Sequence, residues 1–161
     1  MEYLNLYDRQ GNLTKEKGIR GVKSDKLVGI VIIFIENSKG EFLIQKTSAN
    51  RGSIFATTGG HVSFGSTFKE AVINEVKEEL GIDITNEDVI EVHTYIKEHY
   101  FQKVYYLKKD IDKKDIIIQE DEVEYVDWLS KDKINELIEN KEFREGNIEG
   151  YKYIINNMEN N

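Results

Sequence analysis

The sequence predicts an α+β fold in which a mixed β-sheet lies between helices. Three observations point there. A β-branched, almost continuously apolar run, LVGIVIIFIE at residues 27–36, has the character of a strand covered on both faces. An amphipathic stretch at residues 66–80 is bounded by capping residues before it and a glycine after it, as a helix is. Shorter strand-like runs and two further helical stretches are mixed along the rest of the chain, the order of a sheet packed between helices.

Residues 2–8 alternate enough for a short strand, and Gln10-Gly11-Asn12 is a turn signal. Residues 15–24 are weakly patterned. Residues 27–36 and 41–46 (EFLIQK) flank the turn Asn37-Ser38-Lys39-Gly40, so they read as a hairpin. A loop carrying Arg51 and Gly52 follows at 47–55. Thr57-Thr58-Gly59-Gly60 reads as a second break, and residues 61–64 as a short strand. In the helix at 66–80, Ser66 or Thr67 supplies the N-cap, and Gly81 ends the helix in the left-handed conformation. Residues 91–97 and 102–108 read as a strand pair, and 123–129 (VEYVDWL) as a late strand. Ser130 caps a helix at 131–140. A last helix is expected at about 148–157, fraying in the Asn-rich stretch beyond Tyr153, so that 152–161 reads as a tail.

The chain has 161 residues, which at roughly 150 per domain predicts one domain over 1–161. It has no Cys, which excludes a disulfide framework, a thiolate zinc site and a cysteine nucleophile. Its three histidines, His61, His93 and His99, are not at zinc-ligand spacing. The longest apolar run falls far short of the roughly 20 residues of a membrane span. The first residues, MEYLNLYDRQGN, are too polar for a signal peptide. A cytoplasmic protein with no membrane contact is therefore expected. Lys and Arg total 22 against 30 Asp and Glu, a formal net charge of −8. Such a chain gains no general attraction to a nucleic-acid polymer. It can still bind a phosphorylated small molecule if a cation bridges the charges.

The helix at 66–80 carries the informative residues. At about 100° per residue, Glu75, Glu78 and Glu79 fall within an arc of about 100°. Phe68, Val72, Val76 and Leu80 form an adjoining apolar stripe that should face the sheet. Like charges at these spacings destabilise a helix by roughly 0.2–0.5 kcal/mol per pair. A divalent cation reverses that sign, and carboxylate oxygens are the ligands Mg²⁺ and Mn²⁺ prefer. Taken alone, an EVKEE run is more often a solvated acidic face.

The stretch GHVSFGSTFKEAVINEVKEELGI, residues 60–82, resembles the Nudix box, G-x5-E-x7-R-E-U-x-E-E-x-G-U with U aliphatic. Gly60, Glu75, Val76, Glu78, Glu79, Gly81 and Ile82 match in register, seven of nine fixed positions. The strand pair VIIFIENSKGEFLIQK before the box and QEDEVEYVDWLS after it are similar to the family's domain. YDRQGN with FLIQK resembles the branch related to isopentenyl diphosphate isomerases. The resemblance spans about residues 1–140.

It implies a Nudix-type α/β/α sandwich and metal-dependent hydrolysis of the diphosphate linkage of a nucleoside diphosphate derivative, with Mg²⁺ or Mn²⁺ as cofactor. By the same resemblance, Glu75, Glu79 and the Gly60 carbonyl would hold the cation, and Glu78 would complete the cluster. An acid from elsewhere in the chain often activates the water. Glu122 is the candidate, with Glu120 and Asp121 as rivals, and a solvated turn is the plain alternative for all three. Arg51 is a candidate phosphate ligand, against an ordinary surface arginine. His61 is a candidate contact to substrate or metal-bound water, against a structural histidine. Phe64 either stacks on a base or covers the core, Trp128 is read as core, and His93 and His99 have no role. A homodimer would be ordinary for such a domain.

Two box positions depart from the pattern: Ser66 stands for the first Glu and Asn74 for the Arg. In the family these two charges pair, and losing both leaves neither without its partner. The alternative function is therefore a catalytically weakened Nudix-fold module that binds nucleotides. Isoprenoid diphosphate isomerisation, which in the family uses a cysteine, is excluded by the absence of Cys.

Overall fold

The computed structural model describes residues 1–158. Tyr3–Tyr7 (β1) and Leu13–Ile19 (β2) form an antiparallel hairpin. Leu27–Glu36 (β3) is the hub of the sheet, followed by Phe42–Thr47 (β4), Phe55–Ala56 (β5) and Thr58–His61 (β6). The first long helix, Phe68–Leu80 (α1), leads to Ile90–Ile96 (β7), Tyr100–Lys108 (β8) and Val123–Leu129 (β9). Lys131–Glu139 (α2) and Ile148–Asn157 (α3) end the described chain. β3 pairs antiparallel with β1, β4 and β6, and parallel with β8 from Val28↔Tyr100 to Glu36↔Lys108. The sheet is therefore mixed, as the sequence predicts.

The unbroken apolarity of β3 follows from its two covered faces. Val31, Ile33 and Ile35 pack with Val72, Val76 and Leu80 of α1. Ile32 and Phe34 pack on the opposite side with Ile134 and Leu137 of α2 and Tyr151 and Ile154 of α3. Strand alternation sends odd positions to one helix layer and even positions to the other. Each buried Val, Leu or Ile here is worth roughly 1.5–3 kcal/mol relative to exposure.

Four expectations need correction. The weakly patterned residues 13–19 form β2, an exposed strand whose side chains offer no buried face; only Gly18 is buried, under Leu6. The turn at residues 37–40 is present, but β3 and β4 meet only at Glu36↔Phe42. β4 pairs instead with β9, while β6 takes the place beside β3 through Ile30↔His61 to Ile33↔Thr58. The break expected at 57–60 is thus strand, and the strand expected at 61–64 ends at His61. Its glycines are there for space: a Cβ on Gly59 would lie 2.4 Å from the Val31 carbonyl oxygen. Lastly, α3 stays helical to Asn157 with Ile154 fully buried, so the expected tail at 152–161 is ordered through that point. Residues 159–161 lie outside the described chain. Among the described residues, no helix is long and apolar enough to cross a membrane.

Candidate active site

α1 is fixed at both ends. The Thr67 hydroxyl accepts from the Glu70 N–H, and the Glu70 carboxylate accepts from the Thr67 N–H, a reciprocal capping box. Thr67 therefore supplies the cap, while the Ser66 carbonyl accepts from the Asn5 side chain at 2.8 Å. At the other end Gly81 adopts φ 68°, and its N–H donates to the Lys77 carbonyl. The chain returns along this end: Ile117 N–H donates to Leu80 O at 2.9 Å and Gln119 N–H to Glu79 O at 3.3 Å. That return carries the 119–122 turn to the Glu79 end of the helix.

With Val72, Val76 and Leu80 set against the sheet, Glu75 and Glu79 stand beside β6. The fit there is tight. A Cβ added at Gly60 would lie 2.3 Å from the Glu75 carboxyl carbon, so the carboxyl occupies space that only glycine leaves free. A cavity of about 680 Å³ opens along β6. Gly60, His61, Glu75, Glu78, Glu79, Arg51 and Glu122 all line it. Arg51 and Glu122 are bonded to each other, Nη2 to Oε1 at 2.7 Å. Glu120 and Asp121 are exposed and do not line the cavity; the Asp121 carbonyl accepts from the Ser48 hydroxyl.

The electrostatics single out two of these acids. Glu79 is 4% exposed, and its Oε1 has no hydrogen-bond partner among the described residues. Burial pushes its pKa up to about 7, against hydrogen bonds with Glu75 and Gln45 and the charge of Arg144, which lower it. Burial and the neighbouring Glu79, followed by Glu78 and Glu122, push Glu75 up to about 9. A buried carboxylate with an orphaned oxygen and a second carboxylate beside it resists ionisation unless a positive charge joins it. Burial also lowers the pKa of His61. Glu78 is exposed at the cavity wall. Among the described residues, no three His, Asp or Glu side chains already stand together at ligand spacing.

The remaining candidates lie elsewhere. Phe64 is 44% exposed and sits under Lys17, 4.7 Å from its ring centre, so it neither lines the cavity nor covers the core. Trp128 is partly buried against the α1-side core, and its indole N–H donates to Ile111 O. His93 stacks on Tyr153, and His99 is exposed near Glu98. Asn74 is exposed on α1. The cavity also gathers residues the sequence reading did not single out: Arg20, Gln45, Tyr100, Gln102, Arg144 and Asn147. They come from strands and loops far apart in the chain and form no motif.

A family model described as NUDIX domain matches residues 26–151. An uncharacterized Nudix hydrolase of Listeria innocua is 31% identical over 149 residues, 89% of this chain and 88% of that protein. The NAD-capped RNA hydrolase NudC of Pseudomonas aeruginosa is 26% identical over 92 residues, 57% of this chain and 32% of that one. Among solved structures, DR0079 of Deinococcus radiodurans superposes with a TM-score of 0.77 at 22% identity, covering 91% of this chain and 94% of that one. The box residues, the mixed sheet between helices and these matches agree, and the chain belongs to the Nudix hydrolases, a family of pyrophosphohydrolases that generally use divalent metal ions.

Proposed function

We propose that this chain hydrolyses the diphosphate linkage of a nucleoside diphosphate derivative with the help of Mg²⁺ or Mn²⁺. The observation that carries the reading is the buried, partnerless Glu79 Oε1 beside Glu75, with the Glu75 carboxyl pressed against Gly60. The donor set fits a hard divalent cation, which binds oxygen. Glu75, Glu79 and the Gly60 carbonyl would hold it, and the exposed Glu78 would complete the set. Once bound, such an ion neutralises the diphosphate and acidifies an attacking water.

The residues of the chain do the rest. Glu122 accepts the proton of the attacking water, being a carboxylate at the cavity wall. The water oxygen bonds to one phosphorus, the bridging P–O bond breaks, and the departing phosphate keeps the bridging oxygen. Arg51 reaches the phosphates by exchanging Glu122 for a substrate oxygen. His61, whose pKa burial lowers, offers a hydrogen-bonding group to substrate or water. A small nucleotide is favoured over a nucleic-acid polymer by the net charge of −8; RNA carrying a nucleotide cap belongs in the same test panel.

The test is a panel of diphosphate-linked nucleotides incubated in Mg²⁺ and in Mn²⁺, with products resolved by chromatography. Metal-dependent cleavage of one compound class is expected. A second reading, a nucleotide-binding module with weakened chemistry, rests on Ser66 and Asn74. It requires that a panel member raise the thermal midpoint without product, and that Ser66→Glu with Asn74→Arg create activity.

A further inference from the structure

Of the three arginines that line the cavity, two are ion-paired with glutamates in the substrate-free chain. Arg20 pairs with Glu2 at 3.0 Å, and Arg51 with Glu122 at 2.7 Å. Arg144 is the third. Among the described residues its guanidinium makes no ion pair within 4 Å and no hydrogen bond. It is nevertheless close enough for its charge to act on Glu79 and to oppose that of Arg51.

The backbone under Arg144 is pinned. Its N–H donates to Phe55 O at 2.8 Å, and Phe55 N–H donates to Glu142 O at 3.0 Å. Three residues on, the Asn147 side chain accepts from the Thr57 N–H at 3.0 Å. The segment is thereby fastened to the Thr57 end of β6. His61, close enough to Arg20 to feel its charge, lies at the other end of β6. His61 lies four residue steps beyond Thr57, about 13 Å at 3.3 Å per step. The cavity thus has an uncommitted guanidinium at one end, beside the acidic cluster, and a neutralised arginine at the other.

We infer that Arg144 grips a terminal phosphate of the substrate, so that the preferred substrates are nucleoside di- or triphosphates rather than nucleotides whose diphosphate is capped by a sugar. A terminal phosphate carries close to two charges and three acceptor oxygens, which suits a planar fork of N–H donors. A phosphate esterified on both sides carries one charge and offers fewer oxygens. Arg144 beside Arg51 is an unfavourable pair until an anion of high charge density lies between them. The nucleoside then points toward His61. The inference rests on the proposed hydrolase reading.

The experiment compares substrate pairs that share a base: UDP with UDP-glucose, and ADP with ADP-ribose. The unmodified protein, Arg144→Gln and Arg144→Lys are assayed, with kcat and KM separated and the thermal midpoint as a folding control. Arg144→Gln is expected to raise KM for the terminal-phosphate member about 10- to 100-fold more than for its capped partner, the size of a lost charged hydrogen bond. Arg144→Lys should recover part of that difference. Equal losses for both members of each pair, or no change, overturn the inference while leaving the hydrolase reading intact. If the unmodified protein cleaves nothing, the hydrolase reading fails. The same pairs are then compared by thermal-midpoint shift: a terminal-phosphate preference lost in Arg144→Gln upholds the inference, and its absence overturns it.

Discussion

Arg51 and Glu122 stand 71 positions apart and meet at 2.7 Å across the mouth of the cavity. The sequence proposes them separately, one for phosphate and one for water, and the fold makes each the other's partner. The contact is reinforced by the backbone, since Ser48 N–H donates to Glu122 O at 3.0 Å. Both side chains are partly exposed, 40% and 27%, so the pair contributes at most about 1 kcal/mol to stability.

Glu122→Gln is therefore expected to leave the thermal midpoint almost unchanged while slowing turnover about 10²-fold or more, the range of general-base catalysis. Steady-state kinetics beside a melting curve reads both. A variant with full turnover removes Glu122 from the chemistry.

Glu78 is exposed on α1, and no described hydrogen bond or ion pair depends on its side chain. Glu78→Gln should abolish metal-dependent turnover with little change in melting. Full retained activity would contradict its place in the cation site.

The acid pair makes stability depend on pH with a defined sign. Glu75 and Glu79 hold their protons in the folded chain to about pH 9 and about pH 7, but only to the ordinary carboxylate range when unfolded. Across that window the folded state binds more protons, so stability falls as pH rises. The metal-free protein should melt progressively lower from about pH 5 to pH 9, and Glu79→Gln should flatten the profile. Saturating Mn²⁺ should flatten it too, since the cation replaces the protons. A metal-free profile that rises over this window would show the pair to be ionised without cost.

Gly60→Ala places a methyl where the Glu75 carboxyl sits. Overpacking of this kind costs about 1–3 kcal/mol, and here it also displaces a proposed ligand. Lower melting together with lost activity is expected. Unchanged turnover would mean that the Gly60–Glu75 contact is not needed by the site.

The parts of the fold that were legible are those set by local chemistry. The ends of α1 follow from Thr67 and Gly81, and the depth of β3 from its unbroken apolarity. What was not legible depends on distant partners. β2 has no buried face to produce a pattern. Gly59 and Gly60 read as a break, because nothing local reveals that β6 lies against the Val31 backbone and the Glu75 carboxyl. In the site, the glutamates of the box lie on one helix and share a face by simple geometry. Arg144 reaches the same cavity only because the Phe55 and Thr57 backbones capture its segment, and no periodicity encodes that capture.

The most direct measurement is a calorimetric titration of Mn²⁺ into the unmodified protein and into Glu79→Gln. Saturable binding by the unmodified protein that the substitution abolishes is expected, because the buried Glu79 oxygen is where a cation is most needed. No saturable binding at millimolar Mn²⁺, or equal binding by both proteins, would mean that the acidic face of α1 is not a cation site.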